Sequence, residues 1–447
     1  MNTVQVDHFV YDTEQLSQIH PGGSLFVELF DGRDATHAFQ SYHRRRFPHE
    51  KMRQYQCQVV GVKPSADPEF DELCKEINQT LPIHQSFAPW YYYVKIFCLL
   101  SLTFYTEYQI HVHGAYVWYN MAFLGWLFAL VGLNVQHDAN HGAISKHFWV
   151  NRILGLSQNW IGGSAIDWMH QHVVQHHIHC NDVEHDPDIY GNWLLRLNPT
   201  KELLPCHVYQ CMYVFVLLGL FGFTYSIDSV MNNIYMRNHT QYALPIQKHV
   251  KWEKYFTALC LSRWAFLPML FTKSSGLMTA LHIAPVFAVG GFYLAFFFVL
   301  SHNYNGVFQY DSKMISEGFL RRQVQSSSNV GGELLCFLNG GLNYQIEHHL
   351  FPRISHCHYP RIAPLVKHFC DKKGIRYTHF PTIRDNLVSC LSHLHAMGSS
   401  YKFFHFAVEE KDKEKSMRAR WLHTNMKMVM GKHCCNALLF PVQLPQH

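Results

Sequence analysis

The segment NVQHDANHGAISK, residues 134–146, follows directly on an apolar stretch and carries two histidines four positions apart. On a helix, His137 and His141 therefore lie on one face. The apolar stretch 114–135 is long enough to cross a bilayer, which needs about 20 residues. The sequence thus predicts a pair of imidazoles just beyond the end of a membrane-spanning helix.

A second histidine group lies in WMHQHVVQHH, residues 168–177. Here His172 and His176 have helical spacing and are predicted to share a face. His177 is then expected to point elsewhere and to reach a second ion. The third group is in QIEHHLFP, residues 345–352, with His348 and His349.

These three groups predict a metal centre. His302, at the end of an apolar stretch, adds an eighth imidazole, and Gln345 and Asn303 could hold water or substrate nearby. Neutral imidazole binds iron, zinc, copper and nickel, and eight of them suit two ions with open positions. Redox-active iron could oxidise an unactivated C–H bond, whereas zinc has no redox chemistry. Ligand type alone leaves both metals open, and the membrane setting and a possible electron donor favour iron.

The chain has 34 histidines, so most need another interpretation. Five that lie near the three groups are interpreted as orienting or incidental residues: His170, His179, His185, His356 and His358. A run of acidic residues follows the second group: Asp182, Glu184, Asp186 and Asp188. They either orient ligands by accepting an imidazole N–H or form a solvated loop, and the sequence leaves both interpretations open.

Composition indicates a membrane protein. Of the 447 residues, 48% are hydrophobic and only 15% are charged, against about 25% in a typical soluble domain. A net charge of +5 does not suggest nucleic acid as a partner. The 13 cysteines are irregularly spaced, which favours reduced thiols facing the cytosol over a disulfide framework.

Topology follows from requiring all three histidine groups to lie on one side of the membrane. Five apolar stretches are candidates for crossing: 89–108, 114–135, 212–225, 255–272 and 277–300. An even number must separate the second group from the third, so one of the last three does not cross. We set aside 212–225, whose length is typical of a buried or interfacial segment. Arg263 would then lie within a crossing helix, where it must face the bundle.

The first sixty residues form a separate polar unit. They contain HPGG at 20–23, where glycine allows close backbone approach, and a second histidine at His43. Two opposed imidazoles, His20 and His43, would make a six-coordinate haem suited to electron transfer. The alternative is an ordinary turn and a surface histidine. We expect domains at 1–60 and 89–399, a linker with one short helix at 61–88, and an unassigned tail at 400–447.

The motifs resemble two known families. HPGG with DATHAFQSYH, residues 34–43, is similar to cytochrome b5, and HDANH, QHVVQHH and QIEHH resemble the three histidine boxes of membrane fatty acid desaturases. Gln345 at the start of the third box, with a fused cytochrome b5, resembles the front-end desaturases. FYLAFFFVLSHN, residues 292–303, and SSSNVGGELLCFLNGGLNYQIEHHLFPR, residues 326–353, are similar to delta-4 enzymes of marine protists, and delta-5 relatives share much of this.

The resemblance implies a fold, ligands and partners. The fold is a small α+β cytochrome b5-like domain followed by an all-α membrane domain with four transmembrane helices and a cytosolic cap. His20 and His43 would bind haem b. The di-iron ligands would be His137, His141, His172, His176, His177, His302, Gln345, His348 and His349. Electrons would come from NADH through cytochrome b5 reductase. The substrates would be O2 and a polyunsaturated acyl lipid or acyl-CoA.

Further expectations concern location and the chain start. The resemblance places the enzyme in the endoplasmic reticulum membrane, with the N-terminus and the histidine groups cytosolic. The stretch before Tyr11 is shorter than the usual cytochrome b5 start, which predicts a weak or absent first strand. Three alternatives stay open: a delta-5 or delta-6 front-end enzyme, a sphingolipid long-chain-base delta-8 desaturase, and a non-catalytic haem or metal electron carrier of the membrane.

Overall fold

A computed structural model describes residues 2–59, 67–190, 193–235, 247–272, 275–310 and 317–399. The predicted tail at 400–447 lies outside these residues, as does part of the predicted linker.

The N-terminal unit is a three-stranded antiparallel sheet with four short helices. The elements are β1 (Thr3–Val6), β2 (Phe9–Asp12), α1 (Thr13–Ile19), α2 (Ser24–Glu28), α3 (Thr36–His43), α4 (His49–Met52) and β3 (Gln56–Val59). The strands have the order β1-β2-β3, and Thr3 pairs with Asp12 at the open end of the first hairpin.

The prediction of a weak or absent first strand is wrong. Val4 and Val6 alternate with more exposed residues along β1, and both are buried in the core of the unit. Gln5 between them pairs with the segment before α3, because its N–H donates to Arg33 and its carbonyl accepts from Ala35. Backbone hydrogen bonds on both edges and one buried face stabilise this short strand.

This small core continues into the rest of the protein. Val4 and Leu29 belong to one apolar cluster with Met169 and Val173, which lie in the second histidine segment. The N-terminal unit therefore packs directly on the element that carries His172 and His176.

The segment between the two predicted domains contains helix α5 (Pro68–Thr80). Asp67 caps it, with Pro68 at the first helical position, as is typical of a helix start. Its apolar face packs in a cluster with Phe319 and Phe351, so the helix belongs to the cap over the membrane domain. The cap is built from α17 (Phe319–Gln325), α18 (Glu333–Asn339), α19 (Gln345–Leu350), α20 (Tyr359–Lys373) and α21 (Ile383–Gly398), with a parallel pair β4 (Asn329–Val330) and β5 (His379–Phe380).

Five long helices form the apolar part of the molecule: α6 (Trp90–Val112), α7 (Trp118–Val131), α14 (Gln210–Tyr235), α15 (Gln247–Thr272) and α16 (Gly276–His302). Among the described residues, three segments are long and apolar enough to cross a membrane: Trp118–Asn140, Pro205–Ser229 and Gly276–His302. The short length assigned to 212–225 was wrong, since this stretch is part of a helix of 26 residues. Length therefore gives no reason to set it aside.

Arg263 faces the helix bundle, as the sequence required. Its Nε lies 2.5 Å from Oε1 of Glu107 on α6, and Nε1–H of Trp160 donates to the other oxygen of that carboxylate at 2.8 Å. Because a buried charge is costly unless it is paired, this ion pair makes α15 compatible with an apolar environment.

Short helices connect the long ones around the histidine groups. They are α8 (His137–Asn140), α9 (Phe148–Gly155), α10 (Ser157–Ile161), α11 (Ala165–Trp168), α12 (His177–His179) and α13 (Pro187–Tyr190). Two π-helical segments, Gly132–Gln136 and Met169–His176, lead into α8 and α12.

Candidate metal centre

The two π-helical segments decide where the histidines point. A π-helix is wider than an α-helix and brings residues five positions apart into line, and such segments are frequent at functional sites. In Met169–His176, this geometry aligns His172 with His177, and their Nε2 atoms lie 3.2 Å apart. The prediction that His177 is the one that turns away was therefore wrong, because it assumed α-helical spacing. His176 is the residue that points to the second group of ligands.

In the folded protein, the histidines of the three sequence segments form two spatial groups, which are called the first and second histidine groups from here on. The first histidine group contains five buried imidazoles: His137, His141, His172, His177 and His348. One ring nitrogen from each of His137, His141, His172 and His348 lies within 4.8 Å of the others. His177 joins them, since its Nε2 is 3.0 Å from Nε2 of His348. Three segments far apart in the sequence thus converge on one point.

The second histidine group contains His176, His302 and His349, with Gln345 beside them. The amide nitrogen of Gln345 lies 2.9 Å from Nε2 of His302 and 3.4 Å from Nε2 of His349. Its Oε1 is buried without a hydrogen-bond partner, and a half-turn of the amide would bring this oxygen to the ring nitrogens. The rings of His177 and His349 stack at 4.4 Å, so the two groups adjoin. All nine side chains predicted as metal ligands are brought together.

Buried ring nitrogens without partners test whether these residues suit metal ions. Within the described part of the chain, both nitrogens of His137 and Nε2 of His141 and His176 have no hydrogen-bond partner. Leaving such groups unpaired costs about 1–3 kcal/mol each. Burial, reinforced by neighbouring histidines, holds the pKa of His172 and His348 well below its usual value. His172 and His348 are therefore neutral, with lone pairs available. These nitrogens and the unpartnered ones of His137 and His141 fit metal ions.

Hydrogen bonds behind the rings fix their orientation. Gln323 Oε1 lies 2.9 Å from Nδ1 of His349, and the Tyr359 hydroxyl lies 3.2 Å from Nδ1 of His348. Both contacts occupy Nδ1, which leaves Nε2 to face the other rings. The sequence offered no signal for Gln323 or Tyr359, because they are far from the histidine motifs along the chain.

Asp186 and Asp188 hold His176. Their oxygens lie 3.1 and 3.3 Å from its Nδ1, and Asp186 is buried. Burial lowers the pKa of His176, but the two carboxylates outweigh it and raise the pKa to about 9. The sequence left open whether the acidic residues orient metal ligands or form a solvated loop. Asp186 and Asp188 orient the imidazole of His176.

The other nearby histidines have separate partners. His356 Nδ1 lies 2.9 Å from Asp138, and His170 lies 2.9 Å from the Arg33 guanidinium. His358 contacts the Phe87 carbonyl at 2.9 Å. Asp138 also lies 3.8 Å from Nδ1 of His137, so His356 is linked to the first histidine group through this carboxylate.

Cys180 is a neighbour of the second group that the sequence did not indicate. Its Sγ lies 3.4 Å from Nδ1 of His302, which also contacts the Ser326 carbonyl at 3.1 Å. Burial raises the pKa of the Cys180 thiol well above its usual value. Its Sγ also lies within 4.8 Å of ligand atoms of His176 and His349, so Cys180 adjoins the second histidine group and would become a thiolate only if a metal bound it.

His20 and His43 face each other across a large cavity. Their ring centres are 6.0 Å apart. This matches two axial ligands of one iron, because metal–nitrogen bonds of about 2 Å put each ring centre about 3 Å from the metal. His20 Nδ1 contacts the Gly23 carbonyl at 2.9 Å and His43 Nδ1 contacts the Phe39 carbonyl at 3.0 Å, so Nε2 is the free nitrogen of each. The cavity has a volume of about 730 Å³, and a haem fits it.

The same cavity reaches the metal centre. Its walls include Phe148, Trp149 and Arg353 from outside the N-terminal unit, as well as His141. Tyr42, the residue before His43, extends from α3 and places its hydroxyl 2.8 Å from Nδ1 of His141. No feature of the sequence indicated this contact.

A second, smaller cavity of about 90 Å³ adjoins His137 on the membrane side. Apolar side chains line most of it, among them Phe128, Trp168, Leu294 and Phe298. A cavity of this size and lining suits only a few methylene groups of an aliphatic chain.

The comparisons with known proteins agree with this architecture. Residues 114–381 match the family model described as fatty acid desaturase, and residues 3–61 match the cytochrome b5-like heme/steroid binding domain. The chain belongs to the fatty acid desaturase family and carries a fused cytochrome b5-like domain. It is an acyl-lipid desaturase, an oxidoreductase of lipid metabolism.

Similar curated proteins support the same assignment. An acyl-lipid (7-3)-desaturase of Rebecca salina is 43% identical over 87% of this chain and 89% of its own length. One of the same name from Diacronema lutheri is 41% identical, over 87% of this chain and 89% of its own length. An acyl-lipid (8-3)-desaturase of Physcomitrium patens is 29% identical, over 87% of this chain and 86% of its own length.

Proposed function

We propose that this desaturase inserts a cis double bond near the carboxyl end of a polyunsaturated acyl chain, at carbon 4, converting docosapentaenoate to docosahexaenoate. The observation that carries the proposal is the convergence of eight imidazoles and Gln345 beside an apolar cavity, in contact with a haem-sized cavity. Two relatives above 40% identity are named (7-3)-desaturases. If the name gives an existing bond at carbon 7 and a step of three carbons, the new bond falls at carbon 4.

Each histidine group would hold one iron. The first would use His137, His141, His172, His177 and His348, and the second would use His176, His302, His349 and Gln345. Bound iron with open positions supplies the oxygen activation needed to oxidise an unactivated methylene, which no side chain can do. The protein's part is to aim the neutral nitrogens, to keep water out of a fully buried site, and to hold the rings through Asp186, Gln323 and Tyr359.

His20 and His43 would hold haem b, and electrons would reach it from NADH through cytochrome b5 reductase. Fusion of the haem-binding unit to the desaturase raises the effective concentration of the donor beside the metal centre. The packing of β1 and α2 against Met169 and Val173 supports this role, because it holds the donor in one place.

The cavity beside His137 would take the few methylene groups of the acyl chain that lie next to the metal centre. Its apolar walls offer little for a polar group to bind, so the position of oxidation would depend on how far the chain extends past His137. The carrier, an acyl lipid or acyl-CoA, would remain on the side of the cap.

We propose that α6, α7, α15 and α16 cross the membrane of the endoplasmic reticulum, with the N-terminus and both histidine groups in the cytosol. In this proposal α14 does not cross, although it is long and apolar enough, because an even number of crossings must separate His177 from His348. Large apolar side chains are exposed along α6 and α15, including Phe97, Phe104, Leu259 and Phe266. Such outward-facing apolar surface suits contact with lipid. Glu253 near the start of α15 bonds to Ser164 beside the second histidine segment, whereas Arg263 meets Glu107 near the end of α6. α15 therefore runs away from the metal centre.

Expression in yeast with supplied fatty acids tests this function. Cells given docosapentaenoate should form docosahexaenoate, read by gas chromatography, and cells that produce a His348→Ala variant at equal abundance should not. A new bond at carbon 5 of a supplied 20-carbon acid would instead show a delta-5 enzyme. A modified long-chain base would show a sphingolipid enzyme, and no product from any lipid would point to an electron carrier.

A further inference from the structure

Three potential metal ligands meet outside the two histidine groups. His179 is the last residue of α12, Asp182 and His185 lie in the loop that follows, and one ligand atom from each lies within 4.8 Å of the others. Oδ2 of Asp182 is 3.2 Å from Nδ1 of His185 and 3.9 Å from Nδ1 of His179. The two imidazole rings are 5.1 Å apart. From the sequence alone, both histidines are predicted to be orienting or incidental residues.

The loop holds the carboxylate of Asp182 in a fixed position. Asp182 is fully buried, and its Oδ1 accepts the N–H of Glu184 at 2.9 Å. The next residue, Val183, donates its N–H to the Tyr310 carbonyl at 3.0 Å. Oδ2 is therefore the oxygen left to meet the imidazoles, and it is presented to both.

The two histidines are open to solvent, unlike those of the metal centre. Their side chains are 37% and 28% exposed for His179 and His185, respectively. A cation could thus enter from water without passing through the buried centre, and water could complete its coordination.

We propose that His179, Asp182 and His185 form a third metal site for a divalent transition cation of the zinc class. Two imidazoles and one carboxylate are a common set of protein ligands for zinc, which leaves its fourth position to water. Metal–ligand bonds of about 2 Å place ligand atoms roughly 3–3.5 Å apart in a tetrahedral site. The observed spacings of 3.2 and 3.9 Å need only a small side-chain movement. Hard cations such as calcium prefer all-oxygen sites and do not suit this set.

The position of the site indicates what the cation does. The loop continues from His185 directly to Asp186 and Asp188, whose carboxylates hold His176 of the second histidine group. Oδ2 of Asp186 also accepts the N–H of Asn181 at 2.7 Å, which closes the loop on itself. A cation on three side chains of this loop would brace it and keep Asp186 against His176.

Zinc binding to the full-length protein tests the proposal. Purified protein in detergent, loaded with haem and iron, is titrated with zinc buffered by a competing chelator. The amounts of zinc, iron and haem bound per chain are then measured. The wild type should bind one zinc per chain with no loss of iron. Asp182→Asn and His185→Ala should weaken this zinc binding at least about tenfold and leave the haem unchanged.

Control variants keep the result interpretable. His84→Ala removes an exposed histidine elsewhere and should bind zinc like the wild type. If Asp182→Asn loses haem or iron through misfolding, the milder His185→Gln decides. Equal zinc affinity in the wild type and His185→Gln, or zinc bound only by displacing iron, would overturn the proposal. X-ray absorption at the zinc edge should show two imidazoles in the first coordination shell.

Discussion

The hydroxyl of Tyr42 lies 2.8 Å from Nδ1 of His141 and so joins the haem-binding unit to the metal centre. Tyr42 precedes His43, whose ring faces the haem-sized cavity, and His141 belongs to the first histidine group. One short piece of α3 thus touches both the haem-sized cavity and the first histidine group. Since the contact occupies Nδ1 of His141, it also leaves Nε2 free for a metal.

Replacing Tyr42 with phenylalanine should slow electron transfer between the two sites. The variant Tyr42→Phe keeps the ring but leaves His141 without the bond that orients it, and loss of such an outer partner typically costs about 10–100-fold in activity. Haem content should be unchanged. Stopped-flow reoxidation of the reduced haem, with O2 and substrate present, should slow by about tenfold. Tyr55→Phe, in the same unit, should behave like the wild type, and equal rates in the two variants would show that the Tyr42 contact has no role in the transfer.

The carboxylates of Asp186 and Asp188 both contact His176, and they should contribute unequally to metal binding. Asp186 is buried and also holds the Asn181 N–H, whereas the Asp188 side chain is 44% exposed. Asp186→Asn should therefore reduce non-haem iron content and product formation by about 10–100-fold, because the imidazole loses its orientation. Asp188→Asn makes the same chemical change at nearly the same distance and should cost much less. The idea fails if the two variants lose iron equally.

Removal of either histidine that faces the large cavity should abolish haem binding. His20→Ala or His43→Ala leaves one axial ligand, and the haem absorbance of the purified protein should fall strongly in each. His84→Ala serves as the control. Non-haem iron should remain in the His20 and His43 variants, because both residues lie outside the two histidine groups. Full haem occupancy in either variant would mean that another residue is the axial ligand.

Close packing of α14 on α16 should depend on one glycine. A Cβ on Gly222 would overlap the Phe287 carbonyl and the backbone at Gly291, whereas a Cβ on Gly219 of the same helix meets no atom within 4 Å. Gly219→Ala should be neutral or stabilising by up to about 1 kcal/mol, since alanine favours a helix. Gly222→Ala should destabilise the protein by about 1–3 kcal/mol, because the helices must move apart. Thermal unfolding of both variants in detergent measures the difference, and equal melting temperatures would contradict it.

The sequence was sufficient to predict which histidines the fold brings together, but not how they divide into two groups. Three motifs with histidines at the ends of apolar stretches identified His137, His172 and His348 without any structure. Their division between the groups depended on a π-helix at Met169–His176, and α-helical spacing gave the wrong partner for His172. Nothing in the local pattern distinguishes a wide turn from an ordinary one, because tertiary packing stabilises it.

Long-range contacts account for the other differences. Tyr42 and Gln323 are ordinary residues in their own segments, and only the packing of distant elements brings them to His141 and His349. The strand Thr3–Val6 forms despite a short chain start, since residues 33–35 pair with its free edge. A separate difference concerns 212–225. The apolar stretch is short in the sequence because polar residues follow it, but the helix continues through them to Tyr235.

The iron content of the purified full-length protein tests the central claim most directly. Iron analysis combined with Mössbauer spectroscopy should find two non-haem irons and one low-spin haem per chain. His176→Ala should lose iron from the second histidine group, while the haem remains. One non-haem iron per chain in the fully active wild type, or zinc in place of iron, would contradict a centre built from two adjacent histidine groups.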